Sequence, residues 1–456
     1  MVNTLKQANN SFPHVLLLFI VFQPILDLLT SFSIYILHMS ATVGIVVRFA
    51  FMLLALGYLL LHYKQQDAKK YILYLCLLGL VLAIGLVNNL MVKSPISFGE
   101  EVKFIFKSVY PFVLLFGYII AFKELKNKEY TFHKIITYFL YATLILSISM
   151  IVAMLTSTDF PSYPNAKIGS RGWFFAGNDL SSIFAIMFPI VVLYSIHKTT
   201  SFSKIYYWIP TILAMYASIM VGTKVGYGAI VLTLGIALLF LFIEYLIHRK
   251  KEGKGFTYLV NTVIAAIILG GLLVLTPHTP IAKNMTIHLQ IYEYKKSLQE
   301  EKEGKVITEE EHKQGKLTDS EMKSLIYSDR DKLLKVYKQY YKDAPLSQKL
   351  FGMGYAGNYT VKVKLVEMDF HDLFFAFGIV GFLMYLLPIL YFGIKIFIRI
   401  ITNFKKLLST KHMLLASTLV LSLGIGFMSG HVLTAPAVSI FFAVILAYMI
   451  VDLEIE

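Results

Sequence analysis

Runs of about 20 apolar residues, long enough to cross the hydrocarbon core of a bilayer, recur along most of this chain. In that solvent every backbone polar group must be bonded within the protein, so runs of this length are read as helices. They can be drawn at roughly 14–36, 41–62, 71–91, 104–122, 134–155, 179–197, 205–222, 224–247, 257–275, 371–394, 412–429 and 432–451. The expectation is an all-α integral membrane protein with about twelve transmembrane helices. Its 57% hydrophobic and 15% charged residues fit spanning helices rather than a soluble core. The first run is too long for a cleavable signal peptide and is expected to stay as an anchor.

Orientation follows from the basic residues of the short loops. One set of loops carries Lys64, Lys69 and Lys70, then Lys123 to Lys134, Arg249 to Lys254 and Lys395 to Lys411, and is expected to be cytoplasmic. The other set holds few cations. Both termini then lie inside, and the polar stretch 276–370 forms a large helical extracytoplasmic loop between the ninth and tenth spans. The chain divides accordingly into residues 1–275 with nine spans, the loop 276–370, and residues 371–456 with three. The net charge of +14 is spread among these loops, where orientation explains it better than a nucleic-acid partner. With one cysteine, Cys76, inside an apolar run, and no HExxH, CxxC or P-loop, neither a metal nor a cofactor is expected. The acidic run Glu309 to Glu311 reads as a solvated helix face.

Four groups stand out at the expected outer side, where loops are otherwise poor in Lys and Arg. Arg171 lies in GSRGWFFAGN, just before a helix start marked by Asn178 and Asp179. Lys224 sits in GTKVGYG at the joint of two spans. Arg330 opens SDRDKLLKVYKQYYKDAP, an amphipathic helix with Ser328 as its cap and Pro345 as its stop. His371 is in the first turn of the tenth span, in EMDFHDLFFAFGIVG, beside Asp369 and Asp372. Each alone reads equally well as a headgroup contact or a structural ion pair. Together, three cations and a histidine argue for an anionic ligand. FGMGYAGN, between them, reads as a turn that can bring backbone close to a ligand. Deeper charges add Asp27 and Arg48, expected to pair, and Lys107, which either joins the ligand site or pairs with Glu100 or Glu101.

These pieces resemble the O-antigen ligase and polymerase family of bacterial envelope glycosyltransferases. RGWFFAGNDLSSIFAIMFP looks like that family's outer Arg and Gly-Asn helix start, and VGTKVGYGAIV like its GTR motif. SDRDKLLKVYKQYYKDAPLSQKLFGMGYAGN is similar to its loop Arg segment, and HDLFFAFGIVG to its His-containing GxxG motif. Lys224 stands where that pattern has Arg, and Asp372 where it has an amide.

The resemblance implies a metal-independent glycosyl transfer. The donor would be a polyprenyl diphosphate-linked oligosaccharide, such as an undecaprenyl diphosphate glycan, and the acceptor a hydroxyl on another glycan or on a lipid. Arg171, Arg330 and His371 would be catalytic, and Lys224, Asn178, Asp372 and Lys107 would bind substrate. Membrane lipid and other polysaccharide-assembly proteins are the implied partners. Lys-rich loops and Ile-rich spans tilt the expectation towards a polymerase of surface polysaccharide, with a ligase as the alternative. A flippase of lipid-linked saccharides is the rival from another class, set back because the two halves look unlike one another and the candidate groups crowd one surface; a membrane scaffold is the third, and it leaves the four groups without convergence.

Overall fold

The structure is a computed structural model that describes residues 2–38, 43–163, 167–250, 253–302, 330–359 and 364–455. Its regular elements are helices: α1 (Val2–Tyr35), α2 (Val43–Leu61), α3 (Gln66–Val92), α4 (Phe98–Glu124), α5 (Lys128–Leu155), α6 (Gly177–Lys198), α7 (Ile209–Met220), α8 (Lys224–His248), α9 (Lys254–Leu275), α10 (Pro280–Lys302), α11 (Arg330–Asp343), α12 (Leu346–Phe351), α13 (Asp369–Thr402), α14 (Phe404–Leu407), α15 (Thr410–Met428) and α16 (Pro436–Asp452). Among the described residues ten helices are long and apolar enough to cross a membrane: α1 to α6, α8, α9, α13 and α15. This is a multi-pass membrane protein.

Two of the twelve expected spans take shorter forms. α7 has 12 residues and continues a 3-10 turn at Phe202–Trp208. α16 has 17 residues, and every residue from Ala437 to Ile450 is buried. A helix apolar all round and covered on all sides is an internal element, so protein rather than lipid thickness sets its length. α16 packs along α4, and with α6 these form the centre of the bundle. The expected amphipathic helix is present as α11, which lays Tyr337 and Tyr341 against Phe375 of α13. Its cap Ser328 and the run Glu309 to Glu311 lie outside the described residues.

The expected pairing of Asp27 with Arg48 is made at 2.7 Å and ties α1 to α2 inside the bundle. Lys93 and Glu101 form a deeper pair at 2.6 Å, both side chains almost wholly buried. This pair also grips a loop, since Lys93 donates to the Tyr355 carbonyl at 2.6 Å and the Tyr355 N–H donates to Glu101 at 2.7 Å. The Gly-rich segment is thereby pinned between α3 and α4 as a structural wedge. Its other edge meets α13, which breaks at Gly378 with φ 66°. The break frees the carbonyls of Phe375 and Ala376, and these accept from Met353 (2.8 Å) and Gly354 (3.1 Å). Irregular backbone at membrane depth is tolerated when protein satisfies it in this way. A Cβ on Gly378 would overlap the backbone of Gly352, so the space beside Gly378 is filled by protein rather than by a lipid tail.

Removing one partner of the deep pair strands a buried charge, which costs ~3–5 kcal/mol, whereas apolar replacement of both is close to neutral. Glu101→Gln should therefore lower the melting temperature in detergent sharply, and the double variant Lys93→Met with Glu101→Leu should recover most of the loss. A double variant no better than the single one would mean that the contacts to Tyr355 dominate.

Candidate active site

The start of α13 is set by two carboxylates that cap backbone. Asp369 accepts the N–H groups of His431 (3.1 Å), Val432 (2.8 Å) and Leu433 (2.7 Å) and the Thr434 hydroxyl (2.7 Å). Asp372 accepts the N–H groups of Val366 (2.8 Å) and Met368 (3.1 Å). These bonds fasten the loop before α13 and the loop after α15 to one helix end. Asp372, expected from sequence to contact substrate, thus has both oxygens engaged by its own backbone.

His371, between them, turns to the other side of the helix. Its ring lies 5.8 Å from that of Phe427, Lys338 of α11 is within electrostatic range, and its buried Nδ1 has no hydrogen-bond partner among the described residues. Arg330, the first residue of α11, meets Glu367 at 3.5 Å, and its Nε is likewise buried without a partner. Lys224 opens α8 behind Thr223, whose side chain caps Gly226. Lys167 and Arg330 lie within its electrostatic range, so three cations crowd one region beside Tyr163. Burial raises the Tyr163 phenol and the Arg330 charge offsets part of that rise.

Arg171 stands on the adjoining loop, which is held to the α7–α8 joint by Ser170 N–H on the Met220 carbonyl (2.8 Å) and by Asn284, bonded to both Ile168 and Gly222. Its guanidinium donates to the Tyr35 hydroxyl (2.9 Å) and the Phe175 carbonyl, packs over Phe160, and keeps a buried Nε without a partner. Asn178 is exposed in the first turn of α6. The structure therefore gathers Lys224 and Arg330, sets Arg171 on the neighbouring loop, and leaves Asn178 at the periphery. Lys107 is elsewhere, in a cavity of about 670 Å³ between α1, α2, α4 and α6, closed by Glu367, Asp369 and the 431–437 segment. Glu101 is taken by Lys93 and Glu100 by Lys103, so neither is its partner. Among the described residues no group of three or more His, Cys, Asp or Glu side chains converges for a metal ion.

Sequence reasoning missed His431 and the role of Asp179. His431 adopts φ 63°, donates its backbone N–H to Asp369, and places Nδ1 2.9 Å from Asp179 of α6. The signal available was a second histidine, in GHVLTAP, at a joint between apolar runs on the same expected side as His371. Burial opposes its charging, but the Asp179 hydrogen bond and the charges of Asp179, Asp369 and Glu367 outweigh that and lift it to about 8. With the folded value above the ordinary 6.5, the pair contributes its full stability at acidic pH and loses it as pH rises through about 8. The contribution is about 2 kcal/mol at most. Melting in detergent should fall between pH 7 and 9 by more in the wild type than in His431→Gln, and parallel curves would discount the pair.

No curated protein and no solved structure matches this chain. Residues 9–456, nearly the whole chain, match the family described as O-antigen ligase like membrane protein. Loop cations, a helix-start histidine and a many-helix bundle are thus found in a chain that belongs to the O-antigen ligase-like membrane proteins.

Proposed function

We propose that this protein transfers a glycan from a polyprenyl diphosphate carrier to a hydroxyl acceptor, without a metal, at the extracytoplasmic side of the cytoplasmic membrane. The observation that carries the reading is the buried nitrogen, without a partner among the described residues, on each of Arg171, Arg330 and His371. A buried polar group left unsatisfied costs ~1–3 kcal/mol, so three on the residues singled out from sequence suit a ligand that brings acceptor oxygens to the two guanidinium nitrogens and a hydroxyl proton to the imidazole. Lys167 and Arg330 lie within electrostatic range of Lys224, an arrangement that suits an anion.

In this reading the bond from the anomeric carbon to the diphosphate oxygen breaks, and its electron pair leaves with the diphosphate. Arg171 and Arg330, with Lys224 in support, stabilise the charge that develops there. The acceptor oxygen forms the new bond to the anomeric carbon, and His371 takes its proton. Asp372 holds the helix start that presents His371. The chain passes the membrane twelve times, with α7 and α16 as the short passes, and both termini are cytoplasmic; the basic loops support that orientation. The three parts are then 1–275, the extracytoplasmic 276–370, and 371–456. The acceptor is a second lipid-linked unit, which makes the protein a polymerase of surface polysaccharide. Ligation to a lipid or wall acceptor is the second reading, favoured by the family's description.

The test is reconstitution with a polyprenyl diphosphate-linked repeat unit, with and without a separate acceptor. His371→Ala should lower turnover by ~10² to 10⁴-fold with little change in donor binding. Arg330→Ala should lower it by ~10² to 10³-fold. Wild-type rates in membrane-inserted His371→Ala would remove the base, and chain growth without an added acceptor separates polymerase from ligase.

A further inference from the structure

The cavity that holds Lys107 has no part in the chemistry above, yet its wall is built from charged groups. Most of them are committed. Arg48 holds Asp27, Lys103 holds Glu100, Asp179 holds His431, and Asp369 and Asp372 cap backbone. Three polar groups in the lining have no such commitment among the described residues. The Tyr110 hydroxyl and His431 Nε2 are buried without partners, and the Lys107 ammonium has neither a hydrogen bond nor an ion pair.

The Lys107 ammonium donates, the Tyr110 hydroxyl can donate, and His431 Nε2 donates when the ring is an imidazolium. Lys107 and Tyr110 are one turn apart on α4, and Asp179, bonded to His431, lies within electrostatic range of Lys107. An ammonium inside a membrane-spanning helix is costly unless it meets a counter-charge, and Asp179, the carboxylate within its range in this wall, is already engaged by His431. An anionic oxygen in the cavity would give Lys107 a partner of its own.

The rest of the wall says what that oxygen is attached to. Ile45 and Phe49 of α2 and Phe106 of α4 line the cavity and are 38–44% exposed, with the two phenylalanine rings 5.0 Å apart. Both helices are of spanning length and hydropathy. This wall is therefore apolar and thin, made by side chains of two spans that meet edge to face between the cavity and the outer surface of the bundle.

We propose that this cavity binds the phosphate headgroup of a second, membrane-resident amphiphile, the acceptor, with Lys107, Tyr110 and His431 as donors to the phosphate and the apolar chain leaving between α2 and α4. Its identification as the acceptor rests on the glycan-transfer reading; the binding site itself does not. Glu367, which meets Arg330 on one side and lines the cavity on the other, is where the two sites touch. A His431 value lifted to about 8 by Asp179, Asp369 and Glu367 agrees with this, because the imidazolium donates from both nitrogens at neutral pH.

The probe is farnesyl phosphate, with farnesol and inorganic phosphate as its two halves, titrated into detergent-solubilised Arg330→Ala protein so that the cation clamp does not contribute. Farnesyl phosphate should bind; farnesol and inorganic phosphate should each bind at least ~10-fold more weakly, as expected when a charge-assisted contact or the apolar chain is removed. Adding Lys107→Met or His431→Gln should weaken farnesyl phosphate by ~10-fold or more and leave farnesol unchanged. Lys107→Met removes a charge without a partner, so it should melt no lower than its parent, which keeps misfolding from explaining the loss. Affinity unchanged in both variants, or binding abolished already by Arg330→Ala, overturns the proposal. Inorganic phosphate matching farnesyl phosphate overturns the exit of the chain between α2 and α4. If binding follows Lys107 and His431 but no glycan is transferred in reconstitution, the site stands and the enzymatic reading fails.

Discussion

Lys93 and Glu101, buried against each other at 2.6 Å, are the contact on which the arrangement at the α11 end of the bundle depends. Desolvating two charges costs several kcal/mol per ion, and the attraction between them offsets this only when the remaining valences are also filled. Here they are filled by the backbone of Tyr355, one bond from each partner. The pair therefore fixes a loop as well as two helices, and that loop fixes the bend of α13. The start of α13 is set by the Asp369 and Asp372 caps, and Asp369 also holds the loop that carries His431.

The consequence for chemistry is a division of polar work around the first turn of α13. Asp369 and Asp372 are turned inward and are used up by caps, while His371, between them in sequence, faces α11 and Phe427. A helix advances 100° per residue, so Asp369 and Asp372, three positions apart, lie near one face while His371 points away from it. The cations come from separate elements, the α6 approach loop, the start of α8 and the start of α11, and Asn284 and Ser170 stitch the first two elements together.

Much of this was legible in the residues. Apolar run length located the helices because lipid leaves the backbone no other choice, and the Asp27 to Arg48 pair followed from the cost of lone charges in that medium. Arg171, Lys224, Arg330 and His371 stood out because charge is rare in loops of that kind. The lengths of α7 and α16 were not legible, since a run of apolar residues looks the same whether lipid or protein surrounds it. Nor was the use of the glycines: a glycine pair reads as a turn, and only the packed chain reveals that Gly352 and Gly354 run against a broken helix. His431 was hidden for a related reason, because its partners Asp179 and Asp369 are remote in sequence and each had a ready local explanation as a helix-start residue.

The seam between the wedge and α13 is closed by carbonyls and N–H groups, Phe375 with Met353 and Ala376 with Gly354. A main-chain bond is indifferent to the side chain carried by the residue that makes it. Phe375, Met353 and Ala376 can drift in chemistry while the seam keeps its shape, whereas Gly352, Gly354 and Gly378 have almost no freedom to change. Positional information for the helix start is therefore concentrated in a few hydrogen atoms, the ones that stand where side chains would otherwise begin.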